Sequence, residues 1–285
     1  MWLWMAILSQ CRLSATQRKQ LAAMMLTVPD ANYLFEQLPI FDVDQVLDLR
    51  EQVLNDLAAT NSETWRRIYE TFRVRTAYQP DAESIAHRSL ANLALAYFTR
   101  NLSGESLTKA VREHFDQADN LTDRRAALSI ALNHRAFDDG ARDGLVQEFY
   151  DRWQEEALVV DLWFALQAQS ERTGVERLQQ LEAHAAFDLK NPNRARSVIA
   201  VFGMQNHRNF HALDGSGYEY LKRAIQRVDS LNPQLSARLA TPLSRWQRYD
   251  VNRQRLMQGA LQDLVGSDDI SKDLYEIVSK SLAEA

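Results

Sequence analysis

The chain has 285 residues, of which 46% are hydrophobic and 25% charged, and it contains only 9 glycines and 6 prolines. The formal net charge of -5 and the absence of any densely basic stretch exclude the usual type of nucleic-acid-binding surface. The single cysteine, Cys11, excludes an intrachain disulfide and suits a reducing compartment, so we expect a cytoplasmic protein.

The first eight residues, MWLWMAIL, form an apolar stretch that is too short to span a bilayer. The stretch has neither a basic start nor a small-residue cleavage site, which makes it a poor signal peptide. We therefore expect no membrane partner. Trp2 and Trp4 fit a helix that packs on its neighbour, and an interface with an upstream partner is the alternative.

Helical periodicity runs along almost the whole chain, and strand-like alternation is nearly absent. Helix-start signals recur in chain order at Ser14, Pro29, Asp42 or Asp44, Asn61 or Ser62, Pro80-Asp81, Thr122-Asp123, Asp138, Asn191-Pro192, Ser216 and Asn232-Pro233. They delimit about fifteen helices joined by short polar turns, without a linker rich in Gly, Pro or Ser. The sequence predicts an all-α fold, an irregular α-solenoid of the HEAT or armadillo kind with antiparallel helices, and a closed helical bundle is the alternative.

The stretch LKNPNRARSVI, residues 189–199, combines a strong helix start with an unusual charge pattern. Asn191 can cap the helix and Pro192 fits its first position. Arg194 and Arg196 then place cations near the positive end of the helix dipole, where each costs a few tenths to about 1 kcal/mol. Pairing of these arginines with acids such as Asp188 or Glu182 would explain them as structural residues.

The sequence offers no complete reaction centre. His207 and His211 have the i,i+4 spacing of a helical zinc pair, but Arg208 stands where a catalytic Glu would follow His207. We expect both to be ordinary surface or capping histidines and predict no metal site. The GSG of residues 215–217 follows no strand and lacks a P-loop lysine, so it predicts a turn with Ser216 as the helix cap.

Several segments, read together, resemble a known family. NPNRARSVIAVF, FHALDGSGYEYL, NPQLSARLATPLSRWQRYD and, upstream, HRSLANLALAYF and ADNLTDRRAALSIAL are similar to the C-terminal helical domain of bacterial aminopeptidase N, a zinc-dependent gluzincin aminopeptidase. The resemblance runs from residue 18 to residue 285, and residues 1–17, which could be helical, fit it less well.

The resemblance implies a role without catalysis. In this family a separate catalytic domain carries H-E-x-x-H for zinc and G-x-M-E-N for the substrate amine, and this sequence has neither motif. We therefore expect no activity and no cofactor from this chain alone, with the family zinc in the catalytic domain. The implied partners are the catalytic and β domains, in the same chain or a separate one, and a peptide substrate contacted on its C-terminal side.

The resemblance also implies substrate-binding residues. The family's helical domain caps the active-site chamber with arginines on its inner face, and Arg196 and Arg238 match such positions, Arg194 less well. A guanidinium beside a helix N-terminus favours carboxylates, such as the C-terminus of a peptide. The rival prediction is a free-standing helical-repeat scaffold that binds a protein partner on its concave face. A chamber wall requires Arg196 and Arg238 on one face, whereas a scaffold does not.

Overall fold

The computed structural model describes residues 13–283. These residues are helical with short connections, and their only strand-like pairing is a parallel bridge between Phe41 and Tyr249. The predicted all-α fold is confirmed. Trp2, Trp4, Cys11 and most of the poorly matching segment 1–17 lie outside the described residues, while a helix starts at Ala15.

The α-helices occur in the following order: α1 (Ala15–Met25), α2 (Ala31–Glu36), α3 (Val43–Thr60), α4 (Ser62–Phe72), α5 (Ala82–Phe98), α6 (Gly104–Gln117), α7 (Leu121–Asn133), α8 (Asp139–Trp153), α9 (Ala157–Ala168), α10 (Val175–Glu182), α11 (Pro192–Ala195), α12 (Val201–Gln205), α13 (His207–Phe210), α14 (Ser216–Asp229), α15 (Pro233–Leu239), α16 (Thr241–Ser244), α17 (Val251–Val265) and α18 (Lys272–Ala283). A π-helical segment, Arg196–Ala200, joins α11 to α12, and 3-10 turns occupy Thr99–Asn101 and Trp246–Arg248.

Cap chemistry explains most of the helix starts. Ser14 and Gln17 form a reciprocal capping box at α1, and Asp30, Asp81 and Asp250 accept backbone N–H bonds at α2, α5 and α17. The start of α7 differs from the prediction at Thr122-Asp123, because Asn120 provides the cap through the N–H of Asp123. The prediction that Ser216 caps α14 is wrong. Gly215 takes that position at φ 74°, and Ser216 is the first helical residue.

The residues group into two compact units. The first comprises 13–29 and Leu49–Val146. Helix α5 packs there against α1, α4 and α7. Its core contains Trp65 stacked on Tyr97 with ring centroids 4.3 Å apart, and the Trp65 Nε1–H donates to the carbonyl of Leu57. The buried residues of α5 include Leu90, Ala91, Ala94, Leu95 and Tyr97, so its C-terminal half supplies much of this core.

The second unit comprises Asp30–Asp48 and 147–283. Helix α14 packs there on α15 and α17, and α18 packs on α15, α16 and α17. The segment before α3 contributes Phe35 and Phe41, whose rings stack with centroids 4.5 Å apart. Phe41 also meets Tyr249 edge-on, so the segment 30–48 belongs to the core of the second unit.

Candidate functional site

The predicted helix start at Asn191 is confirmed. The Asn191 side chain accepts hydrogen bonds from the backbone N–H groups of Asn193, at 3.0 Å, and Arg194, at 3.3 Å, with Pro192 at the first helical position. The second such signal behaves in the same way, since Asn232 accepts from the N–H of Leu235 at 3.0 Å. Both candidate arginines therefore lie on helices whose starts are fixed by local chemistry.

Arg194 is a structural residue. It is buried, its Nε lies 2.8 Å from Oδ1 of Asp161 on α9, and its Nη1 donates to the carbonyl of Ala186 at 3.0 Å. Its guanidinium also lies over the ring of Phe164. The ion pair with Asp161 offsets the cost of a cation at the start of a helix and the cost of burying it.

The acids proposed from sequence as partners of Arg194 are used elsewhere. Asp188 accepts the backbone N–H of Lys190. Glu182 accepts hydrogen bonds from Tyr220 and Arg227, each at 2.6 Å. Arg194 is therefore paired by Asp161, a residue of another helix, and not by either of the predicted acids.

Arg196 has a different environment, although it lies only two positions further on. Its side chain is exposed, and its one polar contact within the described chain is a long 3.4 Å approach of Nη1 to Oδ1 of Asn193. The π-helical segment starts at this residue, and segments of this kind are frequent at functional sites. Residues two apart on a helix do not share a face, so burial of Arg194 leaves Arg196 free to face solvent.

A groove of about 330 Å³ lies beside Arg196. Its floor is mostly apolar and comes from α9, the π-helical segment and α12, with Leu162, Ala165, Ala200, Val201 and Met204 as the apolar lining. The polar lining consists of Arg196, Asn193, Ser197, Gln205 and Asp161, whose carboxylate is paired with Arg194. An anionic group next to an apolar side chain is the chemistry that such a groove suits.

Arg238 is also exposed, near the end of α15. Helix α15 packs against the π-helical segment, so the two candidate arginines lie on neighbouring elements of one unit. No carboxylate within residues 13–283 pairs with either guanidinium. Each side chain is therefore available to bind an external carboxylate.

His207 and His211 are not surface or capping residues, contrary to the prediction. They are 9% and 1% exposed, and their rings lie nearly parallel with centroids 6.2 Å apart. The Nδ1 of His211 is 2.9 Å from the Tyr218 hydroxyl, and burial, with His207 and Arg253 nearby, holds the pKa of His211 well below its usual range.

The described residues around His207 and His211 do not assemble a donor set for a metal ion. Among residues 13–283 there is no group of three or more His, Cys, Asp or Glu side chains placed to hold a metal ion. Packing uses His207 and His211 instead, because they line an aromatic cluster with Phe35, Phe210 and Tyr249.

A second polar cluster, not predicted from the sequence, lies in the first unit. Arg88 and His114 line a cavity there although both are buried. The signal for Arg88 was present in the sequence: it is a cation within the long apolar helix AESIAHRSLANLALAYF. A charged residue in such a helix needs a specific partner or a specific task.

Comparison with known proteins supports the resemblance. Aminopeptidase N of Escherichia coli (strain K12) is 39% identical over 266 residues, and that of Haemophilus influenzae (strain ATCC 51907 / DSM 11121 / KW20 / Rd) is 37% identical over 264 residues. Each alignment covers 92% of this chain and 30% of the relative. The chain thus spans about a third of the length of the relatives it matches.

A solved structure agrees with the fold. The crystal structure of Legionella pneumophila aminopeptidase A in complex with aspartic acid matches with a TM-score of 0.84 and 26% sequence identity, over 98% of this chain and 33% of that chain. The predicted relation to the C-terminal helical domain of aminopeptidase N is confirmed.

Within residues 13–283, no helix is long and apolar enough to cross a bilayer.

A family model described as a domain of unknown function with ARM repeats, DUF3458_C, matches residues 3–283, in keeping with the predicted armadillo-like solenoid. The chain belongs to this DUF3458_C family of ARM-repeat domains.

Proposed function

We propose that this chain is the non-catalytic helical domain of a zinc aminopeptidase, where it closes the substrate chamber and helps to position peptides during removal of their N-terminal residues. The relatives named aminopeptidase N support this proposal, and so does the absence of H-E-x-x-H and G-x-M-E-N from the sequence. Hydrolysis belongs to the catalytic domain of such an enzyme, with its zinc and general base. The single cysteine favours a cytoplasmic location.

The observation that carries the proposal is the contrast between Arg194 and Arg196. Arg194 is neutralised by Asp161, whereas Arg196 is exposed beside a mostly apolar groove. In the proposed role, Arg196 and Arg238 bind the carboxylate at the C-terminal side of the substrate. Arg194 holds α11 in place and does not contact substrate.

The first experiment measures hydrolysis of alanyl-p-nitroanilide by the purified chain with zinc added, and full-length aminopeptidase N is the positive control. We expect no turnover above background. Turnover that copurifies with the chain and stops on addition of a chelator would contradict the proposal, and it would direct attention to His207 and His211.

The second experiment uses the whole enzyme that carries this domain. Initial rates are compared for a tripeptide with a free C-terminal carboxylate and for the same tripeptide as an amide. Arg196→Ala and Arg238→Ala should each raise KM for the free acid by about three- to tenfold, as expected for exposed charge-assisted hydrogen bonds, with little change in kcat. The amide should be hydrolysed equally well by all variants.

The matched control is Arg255→Ala, since Arg255 is exposed on α17 of the same unit and has no ion pair within the described chain. This variant removes the same charge at a position outside the groove lining. If Arg255→Ala raised KM for the free acid as much as Arg196→Ala does, the effect would be a general one of charge, and the proposed carboxylate contact would be wrong.

A further inference from the structure

The first unit contains a cavity of about 500 Å³ to which the resemblance assigns no role. The loop between α4 and α5 covers it, and residues of α4, α5 and α6 and of the connection to α7 complete its wall. The polar side chains used below are Tyr69, Arg73, Tyr78, Arg88 and His114.

Arg88 is the main feature of this cavity. The residue is only 5% exposed, yet no carboxylate within the described chain pairs with its guanidinium. Its Nη1 donates to the carbonyl of Gln79 at 3.1 Å, and the guanidinium lies 4.9 Å from the ring centroid of Tyr78. A buried arginine normally pairs with an anion, because removing its charge from water is costly. Arg88 is near enough to Asp119 to help lower the pKa of that carboxyl, but the two form no ion pair, so the guanidinium keeps donors for a further anion.

His114 adds a second unsatisfied group to the same wall. It is 8% exposed, its Nδ1 lies 3.1 Å from the Tyr69 hydroxyl, and its Nε2 is buried without a hydrogen-bond partner. The Arg73 guanidinium lies over the Tyr69 ring, 5.5 Å from its centroid. When the Tyr69 hydroxyl donates to Nδ1, the neutral ring carries its hydrogen on Nε2. Burial lowers the pKa of His114, so the ring is a neutral donor near pH 7.

The acids of the cavity are already engaged. Asp119 accepts the backbone N–H of Tyr78 at 2.6 Å and the Asn120 amide at 3.2 Å. Asp123 accepts the amides of Asn92, at 2.8 Å, and Asn120, at 2.9 Å. These contacts satisfy both carboxylates, whereas Arg88 and the Nε2 of His114 keep donors without acceptors. The unmet requirement of the cavity is for an anion.

We propose that this cavity binds a small organic anion whose carboxylate or phosphate group pairs with Arg88. The Nε2–H of His114 is the second donor that the anionic oxygens satisfy. The volume is in the range of small-molecule sites and larger than a bare oxyanion needs, so the remaining part of the ligand lies along the Tyr78 ring. The positive charge and planar fork of Arg88 match the geometry of an oxyanion.

Isothermal titration calorimetry on the full chain tests the proposal with two ligands of the same shape, benzoate and phenyl phosphate. Benzyl alcohol is the uncharged control. We expect saturable one-to-one binding of at least one anion and no binding of the alcohol, and the preferred anion identifies the chemical group. Absence of saturable binding for both anions would overturn the proposal.

Two variants locate the site. Arg88→Gln keeps a polar side chain but removes the charge, and it should weaken binding at least tenfold. Arg67→Gln makes the same change at an exposed position of α4 and should leave the dissociation constant unchanged. Equal binding by the two variants would refute the assignment to Arg88.

A measurement on the unaltered chain covers the case in which Arg88→Gln fails to fold. The Nε2 nitrogen of His114 is followed by NMR while the tighter anion is added. It should shift along the same saturation curve as the calorimetric signal, because its hydrogen gains an acceptor. A His114 resonance that stays unmoved at saturation would overturn the proposal.

Discussion

Arg253 donates from Nη2 to Oδ2 of Asp44 at 2.6 Å, although the two residues are 209 positions apart in the chain. The Arg253 side chain is 2% exposed, and it also donates to Asp250 at 2.7 Å and to the carbonyl of His211 at 2.8 Å. One guanidinium thus connects the start of α3, the start of α17 and the residue that follows α13. These contacts stabilise the second unit at a point where three chain segments meet.

Arg253→Met should lower the free energy of unfolding by roughly 2–3 kcal/mol, below the usual range for a broken buried pair because Asp44 and Asp250 stay partly hydrated. Asp44→Asn should cost about 1 kcal/mol, since Asp250 remains to pair with the arginine. Urea unfolding followed by circular dichroism measures both. Arg255→Met, at an exposed position of the same helix, is the control and should stay within about 0.5 kcal/mol of the parent.

The turn before α14 makes Gly217 indispensable. A Cβ at this position would lie 2.3 Å from the backbone oxygen of Phe210 and 2.7 Å from that of Asn209. Backbone atoms cannot move aside as a flexible side chain can, so Gly217→Ala should destabilise the protein by at least about 3 kcal/mol or prevent folding. The thermal midpoint and the soluble yield measure this loss.

Gly259→Ala is the matched substitution on a helix. A Cβ at Gly259 meets no atom within 4 Å, and the residue lies inside α17. Alanine should therefore raise the free energy of unfolding by about 0.5–1 kcal/mol through helix propensity and a less flexible unfolded chain. Equal effects at the two glycines would contradict the close backbone approach at Gly217.

The helix starts show how far local chemistry can be read from sequence. Asn191-Pro192 and Asn232-Pro233 were predicted because a cap and its N–H partners lie within three residues of each other. The error at Ser216 has a tertiary cause. The turn requires φ 74° at Gly215 and a close backbone contact at Gly217, and these requirements determine the start of α14.

The candidate site was predictable only in part, for the same reason. The sequence indicated that Arg194 and Arg196 have different roles, because residues two apart on a helix face different ways. It could not identify Asp161 as the partner of Arg194, since the pair depends on how α9 packs against α11. The burial of His207 and His211 depends on aromatic neighbours from several segments, and no spacing rule reports such packing.

Asn206 should be among the most sensitive polar positions of the second unit. It is fully buried, and its Nδ2 contacts the carbonyls of Ala168, Ser170 and Thr173 at 3.0, 2.7 and 2.9 Å. Asn206→Ala removes this donor from the carbonyls of Ala168 and Thr173, while that of Ser170 keeps the N–H of Thr173 at 2.9 Å, and it should cost roughly 2–4 kcal/mol in urea unfolding.

The control for Asn206 is an exposed amide with the same kind of bond. Asn133 donates from Nδ2 to the carbonyl of Ser129 at 2.8 Å, where water can replace it. Asn133→Ala should therefore cost no more than about 0.5 kcal/mol. A loss at Asn133 as large as that at Asn206 would show that burial of the carbonyls is not the cause.

Stability should fall as the pH drops below the ordinary histidine range, and His211 should be a main cause. Burial keeps the pKa of His211 far below its usual value in the folded chain, whereas the unfolded chain takes up a proton near pH 6.5. The unfolded state therefore binds more protons in this window, which favours unfolding as the pH falls. One histidine whose pKa is lowered in this way reduces the free energy of unfolding by up to about 1.4 kcal/mol for each pH unit below its unfolded pKa.

Urea unfolding at several values between about pH 7 and pH 5.5 measures this slope, above the range in which the lowered carboxyl pKa values matter. His114 and His184, whose pKa values burial also lowers, should contribute to the slope of the parent chain. His211→Gln should flatten the slope whatever it does to stability at pH 7. An unchanged slope in His211→Gln would mean that the unfolded and folded chains hold this proton equally well.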